Sequence, residues 1–265
     1  MKAIILAAGM GTRLGKYTRH LPKGMLVFNG KTLIEFQLET LRKVGICKIA
    51  IVTGYQKEAI SYPGLKYYYN EYYSSTNMIE SLMSASDEFD DDIIVAYSDI
   101  IYTDGLAQEM INAPYDITVA ADCEWRRYWN MRYGTTEIDI ESFSVDDDMK
   151  IKELGLPLTS SEGVDYRYIG VLKFTQNGIN ALKKVYEGKK RSLTPWKQSG
   201  KSFYQGYMTD ILNELIINQY DVYACLYKNG WLEFDTVEDY EKMCQLQKTG
   251  ELTILLKGYT SPSSM

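Results

Sequence analysis

Histidine is nearly absent: His20 is the single one in 265 residues. That excludes Ser-His-Asp catalysis except through His20 itself and leaves no set of imidazoles for a zinc site. His20 lies beside a glycine loop, open to a ligand contact or to plain solvent. The four cysteines, Cys47, Cys123, Cys225 and Cys244, are scattered with no C-x-x-C. This points to reduced thiols and a cytoplasmic protein. No apolar run approaches the roughly 20 residues of a membrane span, and nothing of signal-peptide type follows the apolar start. The chain lacks internal repeats and low-complexity tracts. A net charge of −6 argues against nucleic acid as a partner. The composition, 45% hydrophobic and 24% charged, is that of a globular protein long enough for a substantial core.

A local absence says more. No Asp or Glu occurs before Glu35, so Arg13, Lys16, Arg19 and Lys23 make a positive island in an acidic chain. The island follows an apolar run, Ala3–Ala8, that reads as a buried strand emptying into a glycine loop. Glycines let the main chain approach a ligand closely, its N–H groups suit anions, and the cations neutralise charge. The pattern is that of a polyphosphate site. It is not a P-loop, because the first glycine falls at Met10 and Tyr17 replaces the hydroxyl residue. The dinucleotide fingerprint fails too: Gly9 and Gly11 fit, but Leu14 takes the third place and Gly15 comes one residue late.

Strand and helix signals alternate through the first half. A helix is expected from about Thr32 to Val44, a strand over Ile49–Thr53, a short helix near Lys57–Ser61 and a strand over Tyr67–Tyr69. Ser75 or Thr76 would cap a helix through Ser84, and strands follow at Ile93–Tyr97 and Ile117–Ala121. This spacing implies an α/β fold, a mostly parallel sheet with helices on both faces, whose ligand sits outside the strand C-termini. Asp87 to Asp92 reads as a solvated acidic turn. From about 124 the segments Glu137–Val145, Lys150–Leu154 and Tyr166–Lys173 look partly antiparallel. A helix over Gln176–Tyr186 precedes a loop from Lys189 to about Gly200, open to reading as a moving flap or a homodimer contact. A helix near Thr209–Ile216, strands Val222–Leu226 and Leu232–Asp235, a helix over Val237–Gln247 and a frayed tail at Thr260–Met265 complete the chain.

The segment Leu6-Ala-Ala-Gly-Met-Gly-Thr-Arg-Leu14, followed by Leu21-Pro-Lys-Gly24, resembles the signature of nucleotidyltransferases that activate sugar phosphates and small phospho-alcohols. Gly30-Lys-Thr-Leu-Ile-Glu35 looks like that family's next helix start, with Thr32 in place of proline. Tyr97-Ser-Asp-Ile100 and Trp231-Leu-Glu-Phe-Asp-Thr-Val-Glu-Asp239 look like its two metal-binding aspartate segments. The resemblance implies a Rossmann-like, nucleotide-diphospho-sugar transferase-like fold. One domain would span 1–250, with a nucleotide half to about 122 and an acceptor half over about 123–235, leaving 251–265 as a tail. It implies Arg13, Lys23, Asp99 and Asp235 as catalytic residues, with Asp99 and Asp235 holding Mg2+. Without it, either aspartate reads first as a turn or helix cap, as Asp104 does. Nucleotide contacts would come from Leu6, Ala7, Ala8, Gly9, Gly11, Thr12, Gly54, Tyr55, Asn77, Ser81 and Ser98.

Ser74 to Leu82 partly resembles the "N-N-x-x-S-L" helix of bacterial choline-phosphate cytidylyltransferases, with Thr76 for the first Asn. Asp122 to Arg132 resembles the "D-x-x-W-x-x-x-Y-x-x-R" segment of the branch handling phosphocholine and aminoethylphosphonate, with Trp129 for the Tyr. These matches imply CTP and a small phosphate or phosphonate compound as substrates. Trp125, Trp129 and Arg132 would then form the acceptor wall, and Glu141 or Asp210 would hold an ammonium. The alternative leaves both tryptophans in the core and pairs Arg132 with Glu124 or Asp122 on the surface. A sugar-1-phosphate uridylyl- or thymidylyltransferase and a non-catalytic nucleotide sensor are the rival readings. All four catalytic positions are filled, which argues for an enzyme.

Overall fold

A computed structural model describes residues 1–256. β1 (Lys2–Ala7) is buried along its whole length, and its side chains alternate between two cores. Ala3, Ile5 and Ala7 enter one, while Ile4 and Leu6 enter the other, the period of two expected of a strand with both faces covered. A short hairpin, β2 (Val27–Phe28) and β3 (Lys31–Thr32), leads into α1 (Leu33–Lys43). Thr32 caps α1 in a reciprocal capping box with Glu35, and Leu33, Phe36 and Leu41 face the core. β4 (Ile49–Thr53), β5 (Lys66–Tyr69) and α2 (Met78–Ser84) follow. The α2 cap is Asn77, whose side chain accepts from Met78 N, rather than Ser75 or Thr76.

β6 (Ile93–Tyr97) passes through a tight turn into β7 (Ile100–Tyr102), then α3 (Asp104–Asn112) and β8 (Ile117–Asp122). Thr103, not Asp104, caps α3. α4 (Trp125–Tyr133) buries Trp125, Tyr128, Trp129 and Arg132 on one face. The expected antiparallel region is a hairpin of β9 (Ile140–Val145) and β10 (Ile151–Leu158), followed by β11 (Arg167–Phe174). α5 (Gln176–Ser192) runs one and a half turns past its expected end, so Lys189, Lys190 and Arg191 are helical. Cations suit the negative end of a helix dipole. α6 (Met208–Ile217), β12 (Tyr223–Tyr227), β13 (Trp231–Glu233) and α7 (Val237–Thr249) follow.

The main sheet has seven strands in the order β12-β8-β11-β6-β1-β4-β5, all parallel except β11. α1, α3, α4 and α7 cover one face, and α2, α5 and α6 the other. β7 and β13 pair separately beyond the strand ends. Two expectations change. Glu88, in the acidic run, is buried and receives Lys2 Nζ at 2.7 Å, Lys66 Nζ at 2.6 Å and the Tyr68 hydroxyl at 2.5 Å. Leu252, Leu255 and Leu256 are buried in the core, so the packed chain continues past 250. The tail at Thr260–Met265 lies outside the described residues.

Candidate active site

The parallel strands β1 and β6 end side by side, and Ser98 N donates to Leu6 O at 3.1 Å. This sets the glycine loop after β1 next to Asp99. Gly11 has a left-handed φ of +61°, and a Cβ there would meet side-chain atoms of Lys23 and Thr18 at 3.2 Å. Gly24 packs so closely on Ile34 and Ser98 that a Cβ would sit 2.9 Å from each. Together these contacts place Lys23 against Asp99. β13 pairs with β7 and delivers Asp235 to the same point, where Phe234 N donates to Asp99 O at 3.0 Å.

The Lys23 ammonium lies between the carboxylates. It donates to Asp99 Oδ2 at 2.6 Å and also to Asp235 Oδ1, which receives Arg13 Nη2 at 3.0 Å. Burial works against the Lys23 charge, yet the two aspartates outweigh it and hold its pKa above that of an ordinary lysine. Burial likewise pushes Asp235 up, but Lys23 and Arg13 prevail and its carboxyl lies well below the usual range. Asp99 Oδ1 is buried with no hydrogen-bond partner. Two carboxylates already converging on one cation, with an oxygen still unmet, fit a divalent ion completed by phosphate oxygens and water, the habit of magnesium. Among the described residues no cluster of three or more His, Cys, Asp or Glu could hold a metal by itself.

Two cavities open from this point, of about 260 Å³ and 500 Å³. Arg13, Met78, Tyr97, Asp99 and Asp235 line both. The smaller is walled by Leu6, Ala8, Gly9, Gly11, Thr12, Lys23, Asn77, Ser81 and Ser98. Ala7, Gly54 and Tyr55 are not on its wall. They act one layer back: Tyr55 N donates to Ala8 O at 3.1 Å, its hydroxyl donates to Arg19 O at 2.5 Å, and Tyr73 takes its place on the wall. Asn70, missed in the sequence, is buried and donates to Thr76 Oγ1 at 2.9 Å and Ser81 Oγ at 3.0 Å. Lys16 turns away to Glu241 at 2.8 Å, and His20 is exposed.

The larger cavity carries Glu141 from β9, Arg167 and Tyr168 from β11, Asp139 and Glu233. Of the expected acceptor residues only Glu141 lines it. Trp125 and Trp129 are 1% and 0% exposed, and their indole N–H groups donate to Val164 O and Ile138 O. They are core residues, because the period of Trp125, Tyr128, Trp129 and Arg132 puts all four on the inner face of α4. Arg132 is buried as well, but with neither expected partner: it bonds Glu233 Oε2 and Asp239 Oδ2, each at 2.6 Å, behind Asp235. Asp210 caps α6 instead of facing a ligand, accepting from Tyr207 N at 2.8 Å and from Ser199 N and Oγ.

In place of the tryptophans the wall has Arg167, whose guanidinium lies 4.6 Å from the Trp129 ring centroid and bonds Asp139 O and Oδ2 at 2.7 and 2.9 Å. The Tyr97 and Tyr168 hydroxyls bond each other at 2.9 Å. Burial pushes the Glu141 carboxyl up against the pull of Arg167, and burial with the Asp235 charge pushes Glu233 up against Arg132. Glu233 had a sequence signal, two residues before Asp235 in a quoted motif. Arg167 and Tyr168 had none beyond lying in a strand, and Asp139, in the bend before β9, had none.

Residues 3–153 match the MobA-like NTP transferase domain. The chain is 31% identical to CTP:phosphoglutamine cytidylyltransferase of Campylobacter jejuni, covering 91% of this chain and 98% of that protein. It is 28% identical to choline-phosphate cytidylyltransferase of Streptococcus pneumoniae, over 94% of this chain and 99% of that one. A solved structure of CTP:phosphocholine cytidylyltransferase from Streptococcus pneumoniae superposes with a TM-score of 0.68 at 26% identity, covering 93% of this chain and 98% of that chain. The fold, the cationic glycine loop and these relatives agree: the chain belongs to the MobA-like NTP transferase family and is a nucleotidyltransferase.

Proposed function

We propose that this enzyme transfers CMP from CTP to a small phosphate or phosphonate compound bearing an ammonium group, with release of pyrophosphate. The observation that carries the reading is the meeting of two cavities at Arg13, Asp99 and Asp235, beside the Lys23 ammonium. One cavity has the glycine loop suited to a triphosphate. The other has the carboxylate of Glu141, suited to a cation. The cytidylyltransferase relatives, which include enzymes named for phosphoglutamine and choline-phosphate, support the choice of nucleotide and acceptor class.

An oxygen of the acceptor phosphate attacks the α-phosphorus. The bond from that phosphorus to the α,β-bridging oxygen breaks, and pyrophosphate leaves with the electron pair. Both reactants are anions, so the barrier is mainly one of repulsion and alignment. Arg13 and Lys23 neutralise the triphosphate and the charge developing on the leaving oxygen. Backbone N–H groups of the loop Gly9–Gly11 cradle phosphate oxygens. Asp99 and Asp235 would hold Mg2+, whose chemistry when bound is charge neutralisation between the two anionic reactants. Lys23, set between these two carboxylates, would offer its ammonium to phosphate oxygens. Glu141 orients the acceptor by its ammonium. Asn77 and Ser81 bound the nucleotide cavity at the end expected to take the base.

The test is pyrophosphate release over the four common nucleoside triphosphates and a panel of acceptors: phosphocholine, 2-aminoethylphosphonate, phosphoglutamine and glucose-1-phosphate. CTP should exceed UTP by about tenfold or more in kcat/KM, as loss of a paired buried group costs about 1–3 kcal/mol. Equal use of UTP or dTTP with glucose-1-phosphate as best acceptor would move the protein to the sugar-activating branch.

A further inference from the structure

Gln37 is fully buried on α1, among the leucines and isoleucines that pack against the sheet. Its Nε2 donates to Tyr97 O and to Ile100 O, both at 2.7 Å. Those carbonyls bracket Ser98 and Asp99, at the point where the chain leaves the main sheet for the β7–β13 pair. Gln37 Oε1 is buried without a partner. A leucine would pack as well but would strip both carbonyls of this donor, so the amide is there for the turn and not for packing. What it does is clasp one turn. Main-chain bonds from Ser98 N to Leu6 O and from Phe234 N to Asp99 O hold the same turn from other sides. Among the described residues, Gln37 is the side chain seen to tie the carbonyls on both flanks of Asp99.

We propose that Gln37 is a positioning residue for the cation site. By fixing the turn, it keeps Asp99 Oδ1 unpaired and aimed beside Asp235. Outer-layer groups that orient a ligand are typically worth 10–100-fold in metal affinity or activity. The proposal rests on the metal role of Asp99 put forward above.

The experiment measures Mn2+ binding by the loss of its free EPR signal, with neither nucleotide nor acceptor present, so that no turnover is needed and no free triphosphate competes for the ion. Gln37→Met keeps the length and removes the donor. Its Mn2+ dissociation constant should rise about tenfold or more, with kcat reduced and the acceptor KM unchanged. Thr40→Val is the control, because Thr40 Oγ1 donates to Tyr102 O at 3.1 Å from the next turn of the same helix. It should lower Tm and leave Mn2+ affinity alone. Gln37→Asn, whose amide is one methylene too short to reach both carbonyls, serves if Gln37→Met does not fold, and should show the same shift. Wild-type Mn2+ affinity in the folded Gln37 variant, or an equal shift in Thr40→Val, overturns the proposal. Asp99→Asn separates the two failures. If it binds Mn2+ normally, the metal reading itself is wrong. If it loses Mn2+ while the Gln37 variant does not, only the role of Gln37 falls.

Discussion

Replacing Lys23 by methionine keeps the aliphatic stem and deletes the ammonium that joins Asp99 to Asp235. Two consequences follow from the geometry. The side chains of Lys23, Asp99 and Asp235 are 12%, 17% and 9% exposed, so solvent screens the lost pairing little. Breaking a buried ion pair by removing one partner costs about 3–5 kcal/mol. For a chain of 265 residues that corresponds to a fall in Tm of roughly 6–10 °C. Loss of a donor aimed at developing charge costs about 10²–10³-fold in turnover. Mg2+ distinguishes these effects. The carboxylates left facing each other should attract it more strongly than in the wild type. Thermal melts of Lys23→Met should therefore recover most of the lost Tm when Mg2+ and CTP are added, while pyrophosphate release stays at least about 100-fold down. A variant with unchanged Tm and near wild-type kcat/KM would refute both the pairing and the assignment of Lys23 to the triphosphate.

Activity should vanish with EDTA and return with Mg2+ or Mn2+. Asp99→Asn and Asp235→Asn should each be severely impaired, and full turnover of either at low Mg2+ would rule out the pair as metal ligands. Glu141→Gln should raise KM for the acceptor and leave KM for CTP nearly unchanged, read in the same pyrophosphate assay. Trp129→Ala should instead fail as a fold, losing about 3–5 kcal/mol in denaturant melts, because its ring lies in the core. Burial raises the Glu88 carboxyl, but Lys2, Lys66 and Tyr68 outweigh it and lower its pKa from 4.5 to about 2. A depressed carboxylate stabilises the fold above its unfolded pKa and loses that contribution as pH falls. Acid unfolding of the wild type should therefore steepen between pH 4.5 and 2, and Glu88→Gln should flatten that limb.

Legibility in the sequence followed the range over which each residue's surroundings are local. Arg13, Lys23 and the glycine loop lie within some fifteen residues of one another, so their cationic, glycine-rich character showed in composition alone. Asp99 and Asp235 needed the family resemblance, since an aspartate after a strand has the same local appearance as a cap. The acceptor side failed where the answer depended on contacts far along the chain. The partners of Arg132 are Glu233 and Asp239, 101 and 107 residues away. A charged residue on the inner face of an aromatic helix reads as a ligand until those partners are seen. The same helix showed its period in Trp125, Tyr128, Trp129 and Arg132, but a family pattern drew attention to the residue types instead. Glu88 was misread for the converse reason: Lys2 and Lys66 neutralise it from strands that the local run of acids does not reveal. Arg167 and Tyr168 were invisible because a strand that alternates toward a cavity looks like one that alternates toward solvent.

The bond from Lys23 to Asp235 spans 212 residues, which gives the order of synthesis a chemical meaning. At about 5–20 residues per second, roughly 10–40 s separate the appearance of the two groups as a ribosome makes the chain. Once Asp99 is made, 76 residues into that interval, the ammonium has that carboxylate alone for company until β13 and the turn that follows it exist. The nascent protein holds a half-built pocket, with Arg13 and Lys23 in excess over a single carboxylate. Chains arrested before residue 235 should therefore turn over no nucleotide, and catalysis should switch on only when the last strand pair closes.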